Sequence, residues 1–191
     1  MDNSPGKLFV ISGPSGSGKS TLTTMAVKQT GACLSISATT RGQSDSEIDG
    51  KDYFFITREQ FESKISSTGF LEYAEVFGNY YGTPAAPVKK MLAEGKTVVL
   101  EIDVQGAMQV FENFPQAHGI LILPPDDQEL RRRLEARGRD KQEIIEQRLQ
   151  KAKWEIDKAQ QSNLYKNIIV NDKLEDALAE IVSILSYTNQ C

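Results

Sequence analysis

Residues 13–21 read Gly-Pro-Ser-Gly-Ser-Gly-Lys-Ser-Thr, and these types at this spacing could grip a polyphosphate. Gly13, Gly16 and Gly18 let backbone N–H groups curl around a phosphate with no Cβ in the way. Pro14, Ser15, Ser17 and Thr21 complete the loop. Lys19 can reach the outer phosphates, and the Ser20 hydroxyl can serve a magnesium ion. The run fits G-x-x-x-x-G-K-[ST] at every required position. It predicts binding of a nucleoside triphosphate and is silent about the acceptor.

Such a loop works only where a strand delivers it and a helix receives it. Residues 8–12 (LFVIS) supply the strand and 19–30 the helix. Further apolar runs at 33–37, 97–102, 119–123 and 167–170 read as buried strands. Helical patterns occupy 88–94, 104–113, 126–137, 141–160 and 173–187. Pro124-Pro125, then Asp126 and Asp127 in a first turn, mark the start of the 126–137 helix, and Gly138 marks its end. The alternation predicts an α/β P-loop NTPase fold, three layers deep, with a parallel core sheet. Two stretches break the rhythm. Residues 38–83 read as an α+β insertion, with an amphipathic run at 57–66 and alternation over 70–77. Residues 124–148 read as a charged helix–turn–helix with little apolar surface. The expected division is one domain, with a core of 7–37, 84–123 and 149–191 carrying these two appendages.

Composition narrows the field. The chain has 191 residues and a formal charge of −4, which argues against general nucleic-acid binding. Cys33 and Cys191 are its only cysteines, without metal-ligand spacing, which suggests a reducing compartment. The single histidine, His118, leaves no material for a histidine triad. No run approaches membrane-span length. The expectation is a cytoplasmic protein that binds no membrane, monomeric or homodimeric.

The acceptor emerges from a resemblance. SATTRGQSDSEIDGKDYFF (37–55), FLEYAEVFGNYYGT (70–83) and LEIDVQG (100–106), together with the phosphate loop, LEARG and IVND, resemble the guanylate kinase family over nearly the whole chain. The resemblance implies transfer of the γ-phosphoryl group of ATP to GMP, and to dGMP, with Mg2+. The 38–83 insertion then becomes the GMP-binding region and 124–148 a lid. Glu72 and Asp103 would accept from guanine, Ser37 and Thr83 would serve O6 and the ring edge, and Arg41, Tyr53 and Tyr81 would hold the GMP phosphate. Arg137 and Arg148 would act with Lys19 on the transferring group, while Arg133 and Asn171 would lie on the adenine side. Glu101, at a strand end, would orient magnesium-bound water beside Ser20. Arg131, Arg132 and Arg139 are expected to be solvated.

The chemistry of guanine agrees with those residue types. Guanine presents N1–H and an exocyclic amine side by side, and one carboxylate can accept from both. Adenine would turn an acceptor toward that carboxylate. The sequence departs from the family pattern T-T-R-x-P-R-x-G-E at Gln43, Ser44 and Ser46. Ser44 replaces an arginine that would contact the GMP phosphate, so weaker GMP binding or slower transfer is expected. The rival readings are a kinase for another nucleoside monophosphate, a phosphopeptide-binding module that has lost catalysis, and a GTPase switch. The intact phosphate loop and the absence of an N-K-x-D motif argue against the last two.

Overall fold

The structure is a computed structural model that describes residues 6–76, 78–136, 138 and 141–187. Its core is a five-stranded sheet of β1 (Leu8–Ser12), β2 (Cys33–Leu34), β7 (Val98–Glu101), β8 (His118–Leu123) and β9 (Tyr165–Val170), in the order β2-β7-β1-β8-β9. Every pairing in it is parallel. Period-two alternation along β1 explains the layering. Leu8 and Val10 face one side, with α3 (Ala85–Ala93) and α4 (Val104–Asn113). Phe9 and Ile11 face the other, with α1 (Lys19–Thr30) and α7 (Leu174–Tyr187). Both faces are dry, so the strands read as continuous apolar runs.

The insertion folds as a second sheet of β3 (Ala38–Thr39), β4 (Phe54–Phe55), β5 (Phe70–Val76) and β6 (Asn79–Pro84), in the order β4-β3-β6-β5. Helix α2 (Arg58–Ser66) opens with a capping box, Thr57 accepting from the Gln60 amide and Gln60 from that of Thr57. It buries Phe61 between the rings of Phe70 and Tyr80, at centroid distances of 4.2 and 5.1 Å. Gln109 of α4 exchanges two hydrogen bonds with the Tyr73 backbone, of 3.1 and 3.0 Å, and so clips the insertion to the core.

Helix α5 (Asp127–Ala136) and the long α6 (Gln142–Ser162) form the second appendage. Little apolar surface was expected here, yet Leu130, Leu134, Ile145 and Ala152 make a small buried cluster of their own. Two helices need only a narrow stripe to meet, and the surrounding charges mask it in the sequence. Arg131 departs from expectation for a related reason: it forks onto Glu146 of α6 at 2.6 and 3.0 Å, stapling the pair, whereas Arg132 stays exposed. Helix α6 also runs unbroken across residue 148, so no backbone feature marks a boundary there. The apolar run at 33–37 is strand only over its first two residues, because Ser35 is the last to bond β7 before the chain leaves for the insertion.

Candidate active site

Strand order places the site. The central strand β1 has β7 on one side and β8 on the other, so connections leave its carboxyl end in opposite directions and open a crevice there. The carboxyl ends of β1, β7 and β9 deliver Gly13, Glu101 and Asn171 to that crevice. Gly18 turns the chain into α1 with φ +88°, a left-handed value that a side chain resists. Ser20 Oγ donates to Glu101 Oε1, and Lys19 Nζ stands 3.7 Å from the same carboxylate oxygen. The phosphate loop lines a cleft that Asp103, Arg148, Lys151 and Glu155 close from the far side.

A second cleft adjoins the first. Ser37, Tyr53, Glu72, Tyr81, Glu101 and Asp103 line it, and Asp103 is common to both. Thr83 Oγ1 donates to Glu72 Oε1 at 2.6 Å from the paired strand. Glu72 is 7% exposed, and burial pushes its carboxyl up to about 7, against the pull of the Thr83 bond, with nearby Asp103 adding a smaller push in the same direction. Helix α4 begins beneath it, where Asp103 caps the Gly106 amide at 2.8 Å. A methyl group on Gly106 would lie 2.8 Å from Glu72 Oε2, so glycine is what lets the carboxylate sit there. The cleft therefore offers a buried acid that titrates near neutrality, hydroxyls beside it and a second carboxylate across from it. Such a surface suits a planar ligand with adjacent N–H donors.

Arg41 stands beside the two tyrosines of this cleft. Its guanidinium is 5.7 Å from the Tyr53 ring centre and forks onto Glu47 at 2.6 and 3.0 Å. That pairing holds the Glu47 carboxyl down at about 2. Ser44 donates to the same carboxylate through its hydroxyl at 2.6 Å and its amide at 3.0 Å. Ser44 thus braces Glu47, and through it Arg41.

On the opposite side Arg133 donates to the Asn171 carbonyl at 2.8 Å, and Asn171 Nδ2 donates to the Ser17 carbonyl at 2.8 Å. The two residues expected on the adenine side thus meet each other and the phosphate loop. Helix α5 also lies against that loop directly, since a methyl on Gly16 would come within 2.7 Å of Leu130 Cδ1. Arg137 lies outside the described residues. Four residues at the site were not singled out from sequence: Glu47, Gly106, Lys151 and Glu155. The last two share one face of α6 with Arg148, but the helix is charged all round, so period alone does not mark that face.

Among the described residues no group of three or more histidine, cysteine, aspartate or glutamate side chains gathers to hold a metal ion. The Ser20–Glu101 pair suits Mg2+ all the same, because that ion takes one or two protein oxygens and completes its shell with phosphate and water.

Comparison with known proteins agrees with this geometry. The family model for guanylate kinase matches residues 5–188. A guanylate kinase of Thermus thermophilus is 47% identical over 186 residues, which is 97% of this chain and 82% of that one. One from Clostridium acetobutylicum is 46% identical over 94% of this chain and 85% of its own length. The crystal structure of guanylate kinase from Anaplasma phagocytophilum superposes with a TM-score of 0.77 at 33% identity, covering 98% of this chain and 88% of that one. A phosphate loop at the crevice of a parallel sheet, a polar cleft beside it and likeness along the whole chain lead to one statement: the chain belongs to the guanylate kinase family.

Proposed function

We propose that the two adjoining clefts divide the guanylate kinase reaction, ATP-dependent phosphorylation of GMP, between donor and acceptor. ATP occupies the phosphate-loop cleft, with its polyphosphate on Gly13–Thr21 and its adenine toward Arg133 and Asn171. GMP occupies the cleft of Ser37, Glu72, Tyr81 and Asp103, with its phosphate toward Tyr53, Tyr81 and Arg41. Glu72 accepts from the guanine N1–H and amine while Thr83 and Ser37 serve the neighbouring edge. Asp103 faces the same base from α4.

Little covalent help is needed from protein in such a transfer. An oxygen of the GMP phosphate forms a bond to the γ-phosphorus of ATP. The bond from that phosphorus to the β,γ-bridging oxygen breaks, and its electron pair stays on ADP. The acceptor oxygen is already anionic, so no general base is required. Lys19 neutralises β- and γ-oxygens, and Arg148, with Arg137 from the 124–148 lid, neutralises the group in flight. Ser20 directly and Glu101 through water would hold Mg2+, which supplies charge neutralisation at the phosphates. Residues 38–83 and 124–148 act as the moving parts that exclude water.

The single observation that supports this division is the shared wall: Asp103 lines both clefts, so ligands in them meet at that point. dGMP is a second acceptor, because none of the named contacts requires a ribose hydroxyl. The described residues include no helix long and apolar enough to cross a membrane, which accords with a cytoplasmic enzyme of nucleotide metabolism. The test is acceptor choice in a coupled ADP-release assay with GMP, dGMP, AMP and UMP, with Lys19→Ala as the blank. GMP is expected to exceed AMP and UMP by about 5- to 150-fold in kcat/KM, the discrimination one bidentate base contact provides. AMP or UMP turnover equal to that of GMP would remove the acceptor assignment.

A further inference from the structure

Two anionic substrates meeting at Asp103 need positive charge at that junction. On the acceptor side, the charge of Arg41 is shared with Glu47, and Ser44 brings hydrogen bonds to that same carboxylate and no charge. On the other side stands Lys151, in the lining of the phosphate-loop cleft. Its Nζ lies 4.0 Å from Asp103 Oδ2 and 3.6 Å from Glu155 Oε1. Both separations exceed hydrogen-bond length. The ammonium is therefore aimed by two carboxylates without being locked to either.

Glu155 is the less expected partner. It sits one turn beyond Lys151 on α6 and is 5% exposed, within the wall of the cleft. Burial raises its carboxyl and Asp103 adds to the rise, while Lys151 and, more weakly, Lys19 favour its charged form. A buried carboxylate is costly unless it serves a cation, and the cation nearest this one faces the substrates. Lysine also suits the task, since it binds phosphate as a compact point charge on a movable stem.

We propose that Lys151 is a further catalytic residue, whose ammonium meets the reacting phosphates where the two clefts join, and that Glu155 is the positioning residue that aims it. This rests on the assignment of the clefts to ATP and GMP. The bonds made and broken are those of the reaction above. Lys151 adds only charge as the γ-phosphoryl group passes between its two oxygens.

The test compares Lys151→Met, Lys151→Gln and Lys151→Arg with Glu155→Gln and the double variant Lys151→Met/Glu155→Gln. Each is assayed with Mg-ATP and GMP, and its fold is checked by circular dichroism. Lys151 is more than half exposed as a side chain, so its neutral variants retain the fold. Both neutral variants are expected to lose about 10- to 150-fold in kcat, the range of one charge-assisted hydrogen bond. Lys151→Arg keeps the charge and most of the rate. Glu155→Gln lowers kcat and leaves the KM for ATP unchanged. In the Lys151→Met background it costs nothing further, a non-additivity that a purely structural glutamate would not give. Wild-type kcat in Lys151→Met and Lys151→Gln would overturn the proposal while the cleft assignment stood, provided that wild type phosphorylates GMP and Lys19→Ala does not. Failure of wild type to phosphorylate GMP would instead overturn the assignment beneath it.

Discussion

At the scale of single residues, Glu72 is the buried acid on which the proposed acceptor contact turns. Its carboxyl titrates near neutrality because it is buried on β5 against the start of α4, with only the Thr83 bonds favouring charge and Asp103 opposing it. The proposed guanine contact uses its ionised form, since only that form accepts from both N–H groups. Free enzyme with Glu72 protonated should bind GMP poorly. The expected result is a kcat/KM for GMP that falls as pH drops through about 7 and levels off above it. GMP itself gains a phosphate proton near pH 6, so Glu72→Gln is the control. That variant should be slow at every pH and keep only the phosphate limb. An unchanged inflection near 7 in Glu72→Gln would assign the titration elsewhere. The sign for folding is opposite to that for binding. A carboxyl raised in the folded state stabilises the fold below its ordinary range, and that contribution is lost as pH rises through about 7. On the proposed contact, GMP binds best where this residue stabilises the fold least.

Among the elements, α5 has a second task besides packing on α6. Its Arg133 ties the Ser17 loop carbonyl and the strand-end Asn171 into one unit, and Glu129 orients the guanidinium at 2.7 Å. Arg133→Met should therefore raise the KM for ATP by about 10- to 150-fold, the worth of a charge-assisted bond, and leave the KM for GMP unchanged. Steady-state kinetics with each substrate varied in turn checks this, and an equal rise in both would mean that α5 acts on the whole site. The elements were also the most legible part of the sequence. Helices at 19–30 and 104–113 have the expected limits, because Gly18 and Asp103 start them and Gly31 stops the first. Strand β1 and the phosphate loop were equally plain, since a buried strand followed by that glycine spacing has few other outcomes. What stayed hidden depends on distance in space. The sequence does not bring Arg131 to Glu146 or a missing Cβ at 106 to Glu72, because each is a contact between elements. Lys151 and Glu155 were obscured differently: on a helix dense in charge, period alone does not say which face meets the cleft.

Across the whole molecule, two kinds of cohesion are unevenly distributed. The core sheet is held by apolar burial on both faces, which is indifferent to pH. The two appendages have only small apolar clusters and add ion pairs at their surfaces, Glu47 with Arg41 in one and Glu129 with Arg132 and Arg133 in the other. Both glutamates are held down at about 2 by those arginines, each with a direct hydrogen bond as the largest cause. Their stabilisation is whole above the ordinary carboxylate range and is lost as pH falls toward about 2. Acid should therefore loosen the appendages before the core. Hydrogen exchange followed from pH 5 downward, corrected for the intrinsic rate at each pH, is the measurement. Protection over 41–55 and 127–136 should decline first, while β1, β7 and β8 keep theirs. Glu47→Gln and Glu129→Gln should each flatten the decline in their own segment, because neither variant has a carboxylate left to protonate. High salt at neutral pH should reproduce part of the effect, since these pairs are exposed enough to be screened. Simultaneous loss of protection in all three regions would mean that the appendages have no separate stability, and that any motion over the clefts must involve the core sheet as well.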